Sequence, residues 1–204
     1  MANRGQPPPK SILLPLVARS RGAWGPPPRD LRIEDAGPGQ ESVWDYPRPP
    51  RLEDVPEVVR VVFGGVVLAE TNRAVRVLET AGAPVYYLPL DSFRDGALMA
   101  RDSWTICEWK GVAVYFDVTS NGVTAESAAY AYPEPFDDQV ADFARLAGYV
   151  SVYPGPVAEL AGHPEDGCFV GSERARPQPG GYYGGWVLDR VTGPIKGAPG
   201  SEGW

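Results

Sequence analysis

The sequence predicts a mainly β domain with antiparallel sheets and one short helix. Glycine and proline are abundant, with 24 and 23 copies, together 47 of 204 residues, well above the usual ~12%. The chain must therefore turn often. Runs of β-branched residues flank Gly64-Gly65 and precede Asn121-Gly122, a pattern typical of β-hairpins. The single clear helical spacing covers about a dozen residues only, and the length suits one domain with a core of its own.

The predicted strands follow one another with short connections. The first hairpin joins residues 58–63 to 66–69, and further strands are predicted at 74–79 and 84–89. Residues 104–109 lead through Lys110-Gly111 into a strand at 112–118, and Asn121-Gly122 leads into the next strand at 123–129. A last strand is predicted at 149–153.

The helix is predicted at about 136–147. Asp137 and Asp138 suit a helix N-terminus, where the peptide dipoles favour negative charge. The apolar residues that would share one face at helical spacing are Phe136, Val140, Phe143 and Ala147.

Both ends of the chain differ from this middle part. We expect residues 1–43 to be a proline-rich leader and residues 44–204 a single β domain, since 11 of the 23 prolines fall in the first 50 residues. The leader is predicted either to be extended or disordered, or to pack Leu13, Leu14 and Trp24 onto the domain or a partner subunit. From Pro177 onward, 8 glycines and 4 prolines accompany several large aromatic residues, which indicates an ordered, loop-rich C-terminal segment with Trp204 buried.

Charge and cysteine content limit the classes of function. The formal net charge is −7, and an acidic surface repels phosphate backbones and anionic lipids, so we predict no nucleic-acid or membrane partner. The apolar run at 12–18 is too short to span a bilayer. Cys107 and Cys168 show no disulfide pattern, which favours a reducing, cytoplasmic location.

Common enzyme templates are missing. The one histidine, His163, lies between Gly162 and Pro164 in a predicted loop, and no C-x-x-C motif exists, so we predict no metal site. The phosphate-binding loop and the G-x-S-x-G nucleophile elbow are absent as well. We predict no cofactor.

The segment from Cys107 to Gly111 concentrates chemically active side chains. In a strand, side chains alternate between faces, so Cys107 and Trp109 would share one side and Glu108 and Lys110 the other. One interpretation is structural, with Cys107 and Trp109 in the core and a solvent-exposed ion pair. The other is functional, with Glu108 and Lys110 at the edge of a pocket or Cys107 as a nucleophile.

Two further sets of residues could form a binding site. If Arg76 points inward, it needs a carboxylate partner, which Glu79 or Glu108 could supply. Aromatic residues also fall repeatedly in the predicted strands, where they form either plain core or the wall of a ligand site. They are Trp104, Trp109, Tyr115, Tyr130, Tyr132, Tyr149, Tyr153, Tyr183 and Trp186.

Several segments in a fixed order resemble a family known as domain of unknown function 427. They are RAVRVLET, APVYYLP, TICEWKG with VAVYFDV, SAAYAYPEP, GYVSVYP, RPQPGGYYGGWV and GPIKGAPGSEGW. The resemblance runs from about Trp44 to Trp204, and Tyr130 stands where the family more often has tryptophan. The family is also filed as a nucleotidyltransferase, but the paired-aspartate motif that would bind the metal for that reaction is absent.

The resemblance implies a compact β-tent, similar to the Mss4-like group of folds. Many members of that group hold zinc through four cysteines, which this chain does not have. In such folds the ligand site lies on the exposed sheet face among aromatic residues. This implies a pocket at Trp109, Tyr115 and Trp186. Its polar anchors would be Arg76, Glu108 and Lys110.

Three functions remain open. The first is binding of a small polar metabolite, cyclic or cationic, in an aromatic pocket. The second is an enzyme that uses Cys107 or the Glu108/Lys110 pair. The third is a structural or interaction module whose leader docks on a second chain, as in a homodimer.

Overall fold

The computed structural model describes residues 3–21, 29–181, 183–201 and 204. Helix α1 spans Lys10–Arg21 and α2 spans Pro154–Glu159. The longer strands are β2 (Arg51–Asp54), β3 (Val59–Phe63), β4 (Val66–Thr71), β5 (Val75–Leu78), β6 (Val85–Pro89), β7 (Leu98–Cys107), β8 (Gly111–Ser120), β9 (Val123–Ala131), β10 (Tyr149–Val152) and β11 (Gly167–Val170). The two-residue strands are β1 (Glu41–Ser42), β12 (Glu173–Arg174), β13 (Arg176–Pro177), β14 (Trp186–Val187) and β15 (Val191–Thr192).

Two antiparallel sheets form the body of the protein. The larger has seven strands in the order β2-β5-β6-β10-β9-β8-β7, and the smaller has four in the order β12-β11-β3-β4. Two short pairs, β1 with β15 and β13 with β14, complete the strands of the described residues. The mainly β prediction is confirmed, and so are the hairpins at Gly64-Gly65 and Asn121-Gly122, where Phe63 pairs with Val66 and Ser120 with Val123.

The main core lies between these two sheets. Val61 and Phe63 from the smaller sheet pack with Tyr86, Leu88 and Val150 from the larger one, and all five are buried. A second apolar cluster covers the opposite face of the seven-stranded sheet and joins Phe143 and Leu146 with residues of β5, β6, β8 and β9. Each face of the large sheet is therefore covered, and the second face carries the candidate site.

The segment Glu108-Trp109-Lys110 is a turn and does not continue a strand. Cys107 pairs with Gly111, so the three residues between them connect β7 to β8. Gly111 has φ of +100°, and a β-carbon there would meet the Phe136 ring at 3.1 Å, so this position requires glycine. The predicted alternation of faces through residues 107–110 is wrong, because alternation holds only within a strand.

The predicted helix at 136–147 is shorter and of another type. Ala141–Leu146 forms a 3-10 helix, and Val140 before it is extended with φ of −131°. Phe136 instead donates its backbone N–H to the Lys110 carbonyl and packs against the leader. Tertiary contacts of Phe136 thus replace the first turn of the predicted helix.

The leader packs on the domain through α1. Leu13 and Val17, one helical turn apart, are buried with Phe136, although Pro15 interrupts the backbone hydrogen bonds of the helix. Of the two predictions for the leader, the described residues therefore match packing of Leu13 more closely than an extended chain. Trp24 lies outside the described residues.

The C-terminal segment is loop-rich and packs on the larger sheet through Trp186, whose side chain has no exposed surface and lies against the Tyr86 ring. Trp204 is half-buried and lies edge-on to Trp44 at 5.7 Å between ring centroids. The prediction that Trp204 is buried therefore holds only in part. No helix of the described residues is long and apolar enough to span a membrane.

Candidate functional site

A cavity of about 260 Å³ lies on the second face of the seven-stranded sheet. Strands β5 to β9 form the floor of the cavity. The 108–110 turn forms one side, and the C-terminal segment forms the roof. The residues around it are Val77, Glu79, Gly82, Ala83, Val85, Thr105, Ile106, Cys107, Glu108, Lys110, Ala113, Tyr115, Tyr130, Tyr132, Tyr153, Gln178, Tyr183, Gly184, Gly185 and Lys196.

Lys110 is the most unusual side chain of this cavity. It is 7% exposed, and its Nζ lies 5.7 Å from the centre of the Tyr132 ring. Within the described part of the chain, the ammonium has no hydrogen-bond or salt-bridge partner. Burial opposes the charge, but interactions with Cys107, Glu79 and Tyr130 outweigh it and raise the pKa of Lys110. Lys110 is therefore a buried cation at neutral pH.

The other charges around the cavity are partly matched. Glu79 Oε1 lies 3.6 Å from Lys196 Nζ and 3.3 Å from an Arg48 nitrogen, so two cations share this carboxylate. Glu108 is half-buried at the cavity edge. Two ammonium groups and two carboxylates thus line the cavity. Among the described residues, Lys110 and Glu108 have no salt-bridge partner, and of these two only Lys110 is buried.

Lys196 is the second buried lysine, with 8% of its surface exposed. Its ammonium lies over the Tyr183 ring at 5.4 Å. Burial lowers the pKa of Lys196, and repulsion by Arg48 and Lys110 adds to this effect against the attraction of Glu79. The pKa of Lys110 is therefore raised and that of Lys196 is lowered, so Lys110 keeps its proton more firmly than Lys196.

Tyrosine rings form most of the apolar wall. Tyr130 touches the rings of Tyr115, Tyr132 and Tyr153, with centroids 5.1 to 6.2 Å apart. Burial raises the pKa of Tyr130 and of Tyr132 well above the ordinary value. Both phenols are therefore neutral at physiological pH and can donate or accept hydrogen bonds inside the cavity.

The β7–β8 hairpin supplies the remaining polar groups. Tyr115 Oη and Thr105 Oγ1 are hydrogen-bonded at 2.8 Å across these two strands. Cys107, at the end of β7, is half-exposed and carries a free thiol at the cavity wall. Cys168 is also free but fully buried between the sheets, where burial raises the pKa of its thiol.

The roof is held close to the sheet by an amide side chain and two glycines. Gln178 accepts a hydrogen bond from the Ala83 N–H and donates one to the Lys196 carbonyl, both at 3.0 Å. A β-carbon on Gly184 would lie 2.3 Å from Tyr130 Oη, and one on Gly185 would lie 2.1 Å from Gln178 Oε1. Only glycine allows the C-terminal segment to approach this closely.

The structure brings Cys107, Glu108, Lys110 and Tyr115 together at one cavity, although strand alternation predicted Cys107 and Lys110 on opposite faces. It places neither predicted tryptophan in the cavity wall. Trp109 is 5% exposed and packs behind the turn, with the Arg21 guanidinium 5.4 Å from its ring centre. Trp186 is fully buried in the main core, where its indole N–H donates to the Val152 carbonyl at 2.9 Å.

Arg76 lies away from the cavity. Val77 lines the cavity, so its neighbour Arg76 on β5 points to the opposite face. There the guanidinium pairs with Glu41 at 2.5 Å and with Glu53 at 2.8 Å. The predicted partners, Glu79 and Glu108, are both at the cavity, so the pairing prediction is wrong.

Lys196 was not predicted as a site residue, although the composition carries a signal for it. The chain has 19 basic residues, of which only Lys10, Lys110 and Lys196 are lysine. Two of these three line one cavity. In a chain that otherwise uses arginine, a lysine is a candidate for chemistry that guanidinium cannot perform.

The described residues contain no group of three or more histidine, cysteine, aspartate or glutamate side chains that could hold a metal ion. The cavity charges are instead two ammonium groups and two carboxylates, with hydroxyl groups between them. Such a set can bind a polar organic molecule through charge and hydrogen bonds.

The fold and the cavity define the chain as a two-sheet β protein with a tyrosine-rich, charged cavity. The sequence model of the family described as domain of unknown function (DUF427) matches residues 51–162, more than half of the 204 residues. The chain belongs to this family, as its motifs predicted. A comparison with curated proteins found no match.

Proposed function

We propose that this protein binds a small polar metabolite that carries an acidic group, in the cavity beside Lys110. The observation that carries the proposal is the buried ammonium of Lys110, which lines the cavity without a hydrogen-bond or salt-bridge partner among the described residues. A buried charge of this kind is costly unless a counter-charge meets it. A carboxylate or similar group of a ligand would supply that counter-charge.

The tyrosines support the same proposal. Their rings can cover the apolar part of a ligand, while Tyr115, Tyr130 and Tyr132 offer hydroxyl groups for its polar atoms. The aromatic residues alone suggested a cationic ligand, but the buried ammonium of Lys110, next to the more exposed Glu108, favours an anion. The volume of about 260 Å³ suits a molecule of a few carbon atoms better than a nucleotide.

A thermal-shift experiment with lactate and lactamide tests the proposal, since the two probes differ in the carboxylate. At a concentration 100 times its dissociation constant, lactate should stabilise the protein by about 2.7 kcal/mol, which for a chain of this length raises the melting temperature by roughly 5–10 °C. Lactamide should have little effect.

Lys110→Met keeps the length of the side chain and removes its charge, so it should abolish the lactate effect. Lys10→Met is the matched control, because Lys10 lies on the leader and pairs with Asp137, outside the cavity. Equal stabilisation of Lys110→Met and the wild type would contradict the proposal. So would equal stabilisation by lactate and lactamide.

A further inference from the structure

The three lysines of the chain occupy two different environments. Lys10 is one-third exposed and pairs with Asp137 on the protein surface, whereas Lys110 and Lys196 are both more than nine-tenths buried at the cavity. Arginine is a permanent cation, but lysine can lose its proton when it is buried and then acts as a nucleophile. A site that needs only positive charge could use arginine at both cavity positions.

The surroundings give the two cavity lysines different roles. Lys110, at the 108–110 turn, is held as a cation. Lys196, under the roof, lies 3.6 Å from the Glu79 carboxylate, which can accept a proton from its ammonium. Cations near Lys196, namely Arg48 and Lys110, disfavour its charged form. Opposite pKa shifts of two groups in one site are typical of a pair in which one group binds a charged ligand and the other performs acid–base or nucleophilic chemistry.

We propose that Lys196 forms a reversible imine with the carbonyl group of a small 2-oxo acid whose carboxylate is held by Lys110. This inference rests on the proposed function, which supplies the carboxylate anchor. It adds the chemical class of the ligand and a covalent step.

The step balances without any oxidant or reductant. Glu79 takes a proton from the Lys196 ammonium, and the free amine attacks the carbonyl carbon, forming the C–N bond while the C=O electron pair moves to oxygen. That oxygen takes a proton from the attacking nitrogen, and the resulting hydroxyl leaves as water with the proton returned by Glu79. The product is the protonated imine, and addition of water reverses the reaction.

Reductive trapping with pyruvate and sodium cyanoborohydride tests the inference. The hydride converts the imine into a stable secondary amine, so each modified lysine gains one carboxyethyl group, which peptide mass spectrometry locates. In the folded protein we expect modification of Lys196 to exceed that of Lys10, since burial lowers the pKa of Lys196 and leaves more of its free amine at neutral pH. In urea-unfolded protein, all three lysines should react at similar rates.

Two variants assign the roles of the lysines. Lys196→Arg keeps the positive charge and should remove the preferred modification. In Lys110→Met, modification of Lys196 by pyruvate should fall, whereas modification by the uncharged aldehyde propanal should persist. The comparison of folded with unfolded wild-type protein requires no variant, so a folding defect in either variant leaves the inference testable.

The outcomes separate this inference from the proposed function. If lactate stabilises the protein but pyruvate modifies Lys196 no faster than Lys10, the imine is refuted and the binding function remains. If Lys196 is modified preferentially but lactate has no effect, the carboxylate anchor at Lys110 is refuted. Preferential modification that requires Lys110 for pyruvate, but not for propanal, supports both.

Discussion

The two buried tryptophans differ in one interaction, and this difference can be measured. Trp186 donates its indole N–H to the Val152 carbonyl at 2.9 Å, whereas the indole nitrogen of Trp109 is buried without a hydrogen-bond partner in the described part of the chain. Substitution by phenylalanine removes the same ring atoms at both positions. Only Trp186→Phe also leaves a buried carbonyl without its donor.

The expected difference in the free energy of unfolding follows from the interactions that each substitution removes. An unsatisfied buried carbonyl costs about 1–3 kcal/mol. Trp109→Phe weakens the contact with the Arg21 guanidinium, 5.4 Å from the ring centre, which is worth about 0.5–1 kcal/mol near a surface. Trp186→Phe should therefore be the more destabilised of the two by roughly 1–2 kcal/mol.

Thermal and urea unfolding of the two variants provide the assay. At 2–4 °C per kcal/mol for a chain of this length, Trp186→Phe should melt about 2–8 °C below Trp109→Phe. Neither indole lines the cavity, so both variants should keep the lactate effect. Equal melting temperatures, or loss of lactate binding in Trp186→Phe alone, would refute the reasoning.

Three more perturbations probe the cavity and the leader. Cys107 should react quickly with an aromatic disulfide reagent and Cys168 only on unfolding, because only Cys107 is accessible; the absorbance of released thiolate measures this. Asp138→Asn should speed tryptic cleavage in α1, because it removes the Arg21–Asp138 pair at 2.5 Å. Gly184→Ala should destabilise the protein by about 1–3 kcal/mol through the clash with Tyr130, as measured by urea unfolding.

The packing of α1 on the domain should depend on pH because of the ion pair between Arg21 and Asp138. The hydrogen bond from Arg21 holds the pKa of Asp138 below its ordinary value. A lowered pKa means that the contribution to stability is present above the ordinary pKa of about 4 and is lost as the pH falls through the lower, folded-state pKa. Arg21 also lies over the Trp109 ring. The Trp109 indole signal in NMR spectra of the wild type should therefore change below about pH 4.

Each of these perturbations has a matched control. Cys107→Ser should remove the fast thiol phase and Cys168→Ser should not. Asp142→Asn changes an exposed carboxylate of the neighbouring 3-10 helix and should leave cleavage of α1 unchanged. Gly155→Ala places a β-carbon at an ordinary 3.5 Å from Pro177, so a loss of stability as large as that of Gly184→Ala would contradict the clash.

Local sequence signals predicted the parts of the fold that local geometry determines. Gly64-Gly65 and Asn121-Gly122 supply the positive φ angles of tight turns, so both hairpins could be placed from the sequence. The connection from β7 to β8 was predicted at Lys110-Gly111, whereas the turn lies at 108–110, because Trp109 and Lys110 are not turn residues by propensity. Packing of the Trp109 indole and the hydrogen bond from the Phe136 N–H to the Lys110 carbonyl hold that turn, and both depend on distant residues.

The same distinction applies to the site and the leader. Glu108, Lys110 and Tyr115 are close in sequence or in neighbouring strands, so their grouping was predictable, whereas strand alternation predicted Cys107 on the other face. Lys196 reaches the cavity through a hydrogen bond between its own carbonyl and Gln178, a contact that no local pattern reveals. Helix α1 contains Pro15 and forms where Leu13 and Val17 meet Phe136, so tertiary packing overrides its low propensity.

The roof of the cavity has a consequence for how binding could diversify among relatives. The match to the family model ends at residue 162, whereas Gln178, Tyr183 and Lys196 follow it. Floor and roof therefore come from separate stretches of the gene. We expect substitutions in the glycine-rich roof to change the proposed ligand selection while the sheet that forms the floor keeps its fold.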